Sequence, residues 1–259
     1  MENDTVYTAE RTEKILEIIR SQNSVSVKYL ADYFNVSGAT IRTDLTKLEN
    51  SGDIIRTHGG AMLKTSLHHE QQINERFNAD KKIMIANRAL EFIHDGDTVL
   101  IDTGTTMLYL AQALARSSFS KVRIFTNDIE IVRILEEKED FEIHLLGGKI
   151  RNSFHYCYGH QIIEELKKYN FEKMFLATAA ISTTHGLTVS NDELAQVKTA
   201  MIKSSKNIIL LADSSKINRI DFQTFADIGE VDVLIMDSGI TPSYEKKLKE
   251  HISKIILAE

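Results

Sequence analysis

Between Ala9 and Asn50 the apolar residues recur at helical intervals, whereas from Thr98 onward they gather in short blocks divided by turn residues. Ile15, Leu16, Ile18 and Ile19 form a stripe that predicts a helix from Ala9 to Ser21, ended by the polar run Gln22, Asn23, Ser24. Ser26 can cap a second helix whose inner face is Leu30, Ala31 and Phe34. Asn35 and Val36 then predict a tight turn, and Ser37 caps a third helix. In that helix Ile41, Leu45 and Leu48 repeat at spacings of four and three, which leaves Thr40, Arg42, Thr43 and Lys47 on other faces. Ser51 and Gly52 stop it, and the segment from Asp53 to Leu63 predicts a hairpin turning at Gly59 and Gly60, flanked by Arg56 and His58.

Lys64 to Gln72 is polar and aperiodic, so it reads as a linker. The expected division is a winged helix-turn-helix domain over residues 8–63, a linker over 64–73 and a larger domain over 74–259. Asn74 to His94 predicts a helix. Six strands follow, Thr98–Asp102, Val122–Thr126, Glu142–Leu146, Lys173–Thr178, Asn207–Ala212 and Asp232–Met236, with helical stretches between them. Alternation of this kind predicts an α/β domain with a Rossmann-like parallel sheet.

Composition narrows the class. A chain of 259 residues, 42% of them hydrophobic, can bury a full core, and no apolar run approaches the length of a membrane span. The single cysteine, Cys157, excludes an internal disulfide and suits a reducing, cytoplasmic setting. His68 and His69 have no partners at ligand spacing, so neither metal nor cofactor is expected. The net charge of −6 gives no global attraction to nucleic acid, and between Ser24 and Met62 Lys28, Arg42, Lys47 and Arg56 are balanced by Asp32, Asp44, Glu49 and Asp53. DNA binding therefore rests on pattern. Short polar and cationic side chains at the start of the third helix suit a major groove, which nominates Ser37, Thr40, Arg42, Thr43 and Lys47, with Arg56 and His58 from the wing. Asp44 would repel phosphate and is expected to pair with an arginine instead.

In open parallel sheets ligands sit beyond the carboxyl ends of the strands. Four such loops carry suggestive chemistry. Asp102, Thr103, Gly104, Thr105 and Thr106, before a helix predicted over Met107–Ala115, form a candidate phosphate cradle. The glycine admits backbone amides to an anion, the hydroxyls add donors and the helix start favours negative charge. The alternative is a plain helix cap, and neither GxGxxG nor GxxxxGK[ST] is present. Thr126, Asn127 and Asp128 can hydrogen-bond a sugar or phosphate, or cap the next helix. Gly147, Gly148, Lys149 and Arg151 make a glycine turn with two cations, and in Asp213–Lys216 the lysine can pair with phosphate or with Asp213.

Glu10 to Met62, with its LADYFNVS turn, TIR-x-DL helix and HGGA, closely resembles the helix-turn-helix module of the DeoR family of bacterial regulators. From about Gln72 onward IDTGTTMLYLAQAL, FTND, LLGGKIR, GLTVSNDELAQVKTAMIKSSKNIILLADSSK and VDVLIMD resemble that family's sensor domain. Its fold is similar to that of ribose-5-phosphate isomerase and glucosamine-6-phosphate deaminase. Glu193 and Lys198 match the family pattern, with a surface pair as the alternative. The chain departs from it at Thr43, where the family usually has a second arginine, and at Ala177 and Ala180, where it usually has glycines. The resemblance implies a repressor that binds double-stranded operator DNA as a homodimer or homotetramer, away from membranes, and responds to a phosphorylated sugar. One rival reading is an isomerase or deaminase in which Asp102, Asp192 or Glu193 moves a proton and Lys216 stabilises an oxyanion. Another is an architectural DNA-binding protein with a ligand-free second domain.

Overall fold

A computed structural model of the chain describes residues 11–19, 24–51, 53–57, 60–63 and 78–259. The chain divides into two compact units, Met1–Ile73 and Asn74–Glu259. The predicted linker, and His58 and Gly59 of the predicted hairpin, lie outside the described residues.

In the first unit, helix α1 covers residues 11–19, followed by β1 (Ser24–Ser26), α2 (Val27–Phe34), α3 (Gly38–Asn50), β2 (Ile54–Thr57) and β3 (Gly60–Leu63). Both predicted caps form: Ser26 accepts from the Tyr29 amide and Ser37 from the Thr40 amide. Asn35, at φ 51°, takes the left-handed conformation that ends α2 and turns the chain toward α3. Ile15, Ile19, Leu30, Ile41, Leu45 and Leu48 meet in one core, joined by Val25, Ile54 and Ala61 from the strands. Gly60 is not a turn residue as the sequence suggested, because it opens β3 and pairs with Thr57. A Cβ there would stand 2.1 Å from the Val25 carbonyl oxygen, so glycine is what lets β1 lie against β3. The resulting sheet has the order β1-β3-β2.

The second unit is built on seven parallel strands in the order β15-β14-β12-β9-β4-β5-β6. These are β4 (Thr98–Ile101), β5 (Arg123–Thr126), β6 (Glu142–Leu145), β9 (Phe171–Leu176), β12 (Ser205–Leu211), β14 (Val233–Asp237) and β15 (Lys254–Ala258). Alternate residues enter opposite cores. Val99, Ile101, Phe175, Ile209 and Ile235 pack beneath α4 (Ala79–Ala89), α5 (Thr105–Arg116) and α6 (Ile129–Leu135). Leu100, Met174, Leu176, Leu210 and Leu234 pack beneath α7 (His160–Leu166), α8 (Asp192–Lys203) and α9 (Pro242–Lys249). Burial on both faces explains why these strands read as continuous apolar runs.

The predicted helix over 74–94 is shorter, ending in a 3-10 turn at Leu90–Phe92, and the helix predicted from Met107 begins two residues earlier, at Thr105. The sheet has one strand more than the six expected. Two small antiparallel sheets were also missed: β10 (Ala180–Ser182), β11 (Gly186–Val189) and β13 (Gln223–Ala226), and the hairpin β7 (Lys149–Arg151) with β8 (Tyr156–Tyr158). No helix among the described residues is long and apolar enough to cross a membrane.

The strand order positions the site. The chain moves outward from β4 through β5 to β6, then returns to the other side of β4 at β9 and proceeds to β15. The order therefore reverses between β4 and β9, the place at which open α/β sheets bind ligands beyond the carboxyl ends of their strands.

Candidate functional site

On α3, Arg42, Thr43 and Lys47 are exposed and Thr40 is half-buried. The Arg42 and Lys47 head groups pair with no described residue, which leaves both charges available to phosphate or base edges. Ser37 is exposed, but its hydroxyl is engaged with the Thr40 amide and hydroxyl. Thr43 turns its hydroxyl back to the Ala39 carbonyl, 3.1 Å away. Arg56 donates to the Thr46 hydroxyl at 3.0 Å while its amide bonds Glu49, so it lies along the flank of α3. Asp44 is buried and has the arginine partner expected of it: Arg11 of α1, at 2.7 Å, ties the first helix to the third. Sequence reasoning overlooked Tyr29 and Tyr33, which stand exposed on α2 with rings 6.0 Å apart. Their signal was two aromatic residues four positions apart on the polar side of the helix.

At the carboxyl edge of the large sheet, Gly104 adopts φ 144°, a conformation that favours glycine, and forms the N-cap of α5 with no side chain closing the helix start. The plain-cap alternative is thus absent, and the first amides of α5 remain available to an anion. Across the reversal point stands Ala177: a Cβ on Gly104 would come within 3.1 Å of the Ala177 methyl. The two loops approach closely at this place, where the family usually has glycine.

Asp102, fully buried, accepts from the Ala177 amide at 3.0 Å and forms an ion pair with Lys198 of α8. Lys198, itself 2% exposed, also donates to the Ala177 carbonyl at 3.0 Å and lies over the Phe225 ring. The surface pair of Glu193 and Lys198 weighed from sequence does not form. Lys198 holds the two loops of the reversal point together, and Glu193 is half-buried with an unpaired carboxylate. One oxygen of Asp102, Oδ1, has no hydrogen-bond partner.

Next along the edge, Thr126, Asn127 and Asp128 are interior residues. Thr126 accepts from the Asp128 amide, and Asn127 donates to the Cys157 carbonyl at 2.9 Å. Thr126 therefore serves the loop's own structure, whereas Asn127 Oδ1 is buried with no hydrogen-bond partner among the described residues. Asp128 caps α6 and accepts from Thr103 at 2.6 Å. Burial pushes its carboxyl up to about 6, against the pull of the hydrogen bonds from Thr103 and the helix amides. Gly148, Lys149 and Arg151 belong to the hairpin of β7 and β8; a Cβ on Gly148 would meet the Tyr158 carbonyl at 2.5 Å.

Beyond β12, Ser214–Lys216 makes a single 3-10 turn capped by Asp213. Lys216 does not pair with Asp213, and its ammonium has no partner among the described residues. Asp213 accepts instead from Asn78 at 3.0 Å. Lys81 donates to the Ser214 hydroxyl at 2.9 Å and pairs with Asp237 at 2.9 Å. Burial raises the Asp237 carboxyl, but hydrogen bonds from Ser214, Lys81 and Gly239 outweigh it and hold the group below its ordinary range. Only β9 separates β12 from β4, so the Lys216 and Gly104 loops lie about 10 Å apart at normal strand spacing. Asn78, Lys81 and Asp237 escaped sequence reasoning because their partners are far away in the chain, and so did the pairing of Lys198 with Asp102.

A helix-turn-helix module with unpaired cations on its third helix, followed by a parallel sheet with a donor-lined carboxyl edge, defines a transcription regulator with an α/β sensor domain. The chain belongs to the DeoR family: residues 11–67 match the DeoR-like helix-turn-helix domain and residues 77–238 the DeoR C terminal sensor domain. It is 36% identical over 234 residues to the HTH-type transcriptional repressor GlcR of Bacillus subtilis (strain 168), covering 90% of this chain and 89% of that protein. It is 32% identical over 257 residues to a putative aga operon transcriptional repressor of Escherichia coli O157:H7, covering 97% and 95%. Among solved structures, ribose 5 phosphate isomerase A from Neisseria gonorrhoeae aligns over 52% of each chain with 15% identity and a TM-score of 0.39.

Proposed function

We propose that the protein is a cytoplasmic repressor of a sugar-utilisation operon, binding double-stranded operator DNA as a homo-oligomer, with its affinity set by a phosphorylated sugar held at the carboxyl edge of the parallel sheet. The observation that carries this reading is the uncapped, glycine-led start of α5 at the strand-order reversal, one strand away from the unpaired Lys216. Neutral amide donors and a free ammonium together match a phosphate monoester. The sugar body is then left to the polar groups around Asp102, Glu193 and the β7–β8 hairpin. The names of the two relatives, both repressors, support the DNA-binding half.

The same geometry disfavours Asp102 as a proton-transferring group. A proton-transferring carboxylate must reach its substrate, yet Asp102 is fully buried and bound by both Lys198 and the Ala177 amide. A response at the DNA end follows from linkage, in which effector stabilises one arrangement of the edge. The Asn78–Asp213 and Lys81–Ser214 contacts tie the start of α4 to the loop that carries Lys216. Effector binding at that loop therefore acts on the segment that follows the domain boundary.

Thermal shifts of the purified protein against sugar phosphates and their unphosphorylated parents test the reading. A phosphorylated ligand at one hundred times its Kd should stabilise the fold by about 2.7 kcal/mol. The parent sugar should give almost no shift. Equal stabilisation by both would remove the phosphate assignment, and conversion of the ligand at an enzyme-like rate would replace the sensor by a catalyst.

A further inference from the structure

We propose that the phenol of Tyr156 reads a hydroxyl of the effector's sugar body; this rests on the phosphorylated-sugar reading above and assigns the part of the ligand that the phosphate cradle leaves unrecognised. The Tyr156 side chain is 7% exposed, yet its hydroxyl has no hydrogen-bond partner among the described residues. The small exposed part of the side chain includes that hydroxyl, which is open to a ligand. The backbone of Tyr156 bridges to Asp128, just beyond the carboxyl end of β5, which places the residue at the carboxyl edge of the sheet.

The hairpin fixes which side chains stand with it. Lys149 stands opposite Tyr158, and Arg151 opposite Tyr156. Residues directly opposite in an antiparallel pair share a face, so Lys149, Arg151, Tyr156 and Tyr158 lie together while Ile150 and Cys157 occupy the other side. Every head group on the first face is a hydrogen-bond donor.

The strand is held in place. The Cys157 amide donates to the Asn127 carbonyl at 2.7 Å, the Asn127 side chain donates back to the Cys157 carbonyl, and the Ile129 amide donates to the His155 carbonyl at 2.8 Å. The loop joining β7 to β8 bends through left-handed Ser153 and His155. Asn127 thereby also holds the strand that carries Tyr156.

Lys198 neutralises Asp102, and the phenol itself carries no charge, so it suits a hydroxyl of the sugar body, while Lys149 and Arg151 are the groups on this face suited to an anion.

The test compares wild type with Tyr156→Phe, which keeps the ring and removes only the hydroxyl. Glucose 6-phosphate, fructose 6-phosphate, ribose 5-phosphate and inorganic phosphate are titrated calorimetrically into the full-length protein. The sugar phosphate that binds wild type should lose about tenfold in affinity, while inorganic phosphate binding, the ligand-free Tm and ligand-free operator affinity stay unchanged. Unchanged sugar-phosphate affinity overturns the proposal. So does equal weakening of inorganic phosphate, which would make Tyr156 a packing residue of the cradle. If no sugar phosphate binds wild type, the phosphorylated-sugar reading itself fails and Tyr156 loses its role with it.

Discussion

Asp128 has its chemistry altered by burial, and the consequence is measurable. Its carboxyl is pushed up to about 6 in the folded chain, against about 4 in an unfolded one. Between those values the folded state holds the extra proton, so this group's contribution to stability is full below about pH 4 and declines as pH rises through about 6. Asp128→Asn keeps an acceptor for the α6 amides and removes the titration. Urea unfolding at pH 4.5 and pH 7.5 should show wild type losing about 2 kcal/mol more than the variant across that interval, and parallel losses would contradict the assignment. On α3, Arg42 is exposed and unpaired. Arg42→Ala should therefore weaken operator binding by about 1 to 3 kcal/mol at fixed salt while leaving the Tm unchanged. Anisotropy titration decides it, with unchanged affinity excluding a base contact. Sequence alone supplied the expectation that Asp44 pairs with an arginine, because an acid on a DNA-facing helix needs compensation. It could not supply Arg11, 33 positions away, nor Lys198, whose partner Asp102 is 96 positions away.

The elements legible in the sequence were those with a strong period or a continuous apolar run. The three helices of the first unit show it, as do the inner strands of the large sheet, buried on both faces, while the edge strand β6 is only partly covered. Strands of three residues, such as β7, β8 and β10, are too short to show alternation and owe their existence to partners elsewhere. The same limitation hid the hairpin that carries Tyr156. The junction between α4 and the Ser214 turn has a functional consequence at this scale. Lys81→Met removes the bonds to Ser214 and Asp237 without touching α3 or the Gly104 cradle. Operator affinity without effector should match wild type, and the effector-induced change should shrink severalfold. An unaltered effector response would place the coupling elsewhere.

For the whole molecule, order along the chain mattered more than composition. A net charge of −6 and a balanced helix-turn-helix segment gave no electrostatic footprint, so only the helix pattern and the family motifs pointed to DNA. The Gly104 loop was likewise legible as a glycine–threonine turn, whereas its close approach to Ala177 across the strand-order reversal was not. Repression controlled by a sugar phosphate requires the two units to be thermodynamically linked, with each ligand altering the other's affinity by the same factor. The most direct measurement is fluorescence anisotropy of promoter DNA from the protein's own operon, titrated at fixed salt with and without each of a panel of sugar phosphates and their parents. Operator affinity should change at least fivefold with one phosphorylated sugar and stay constant with its parent. Tight, sequence-specific DNA binding that no sugar phosphate alters would contradict the account.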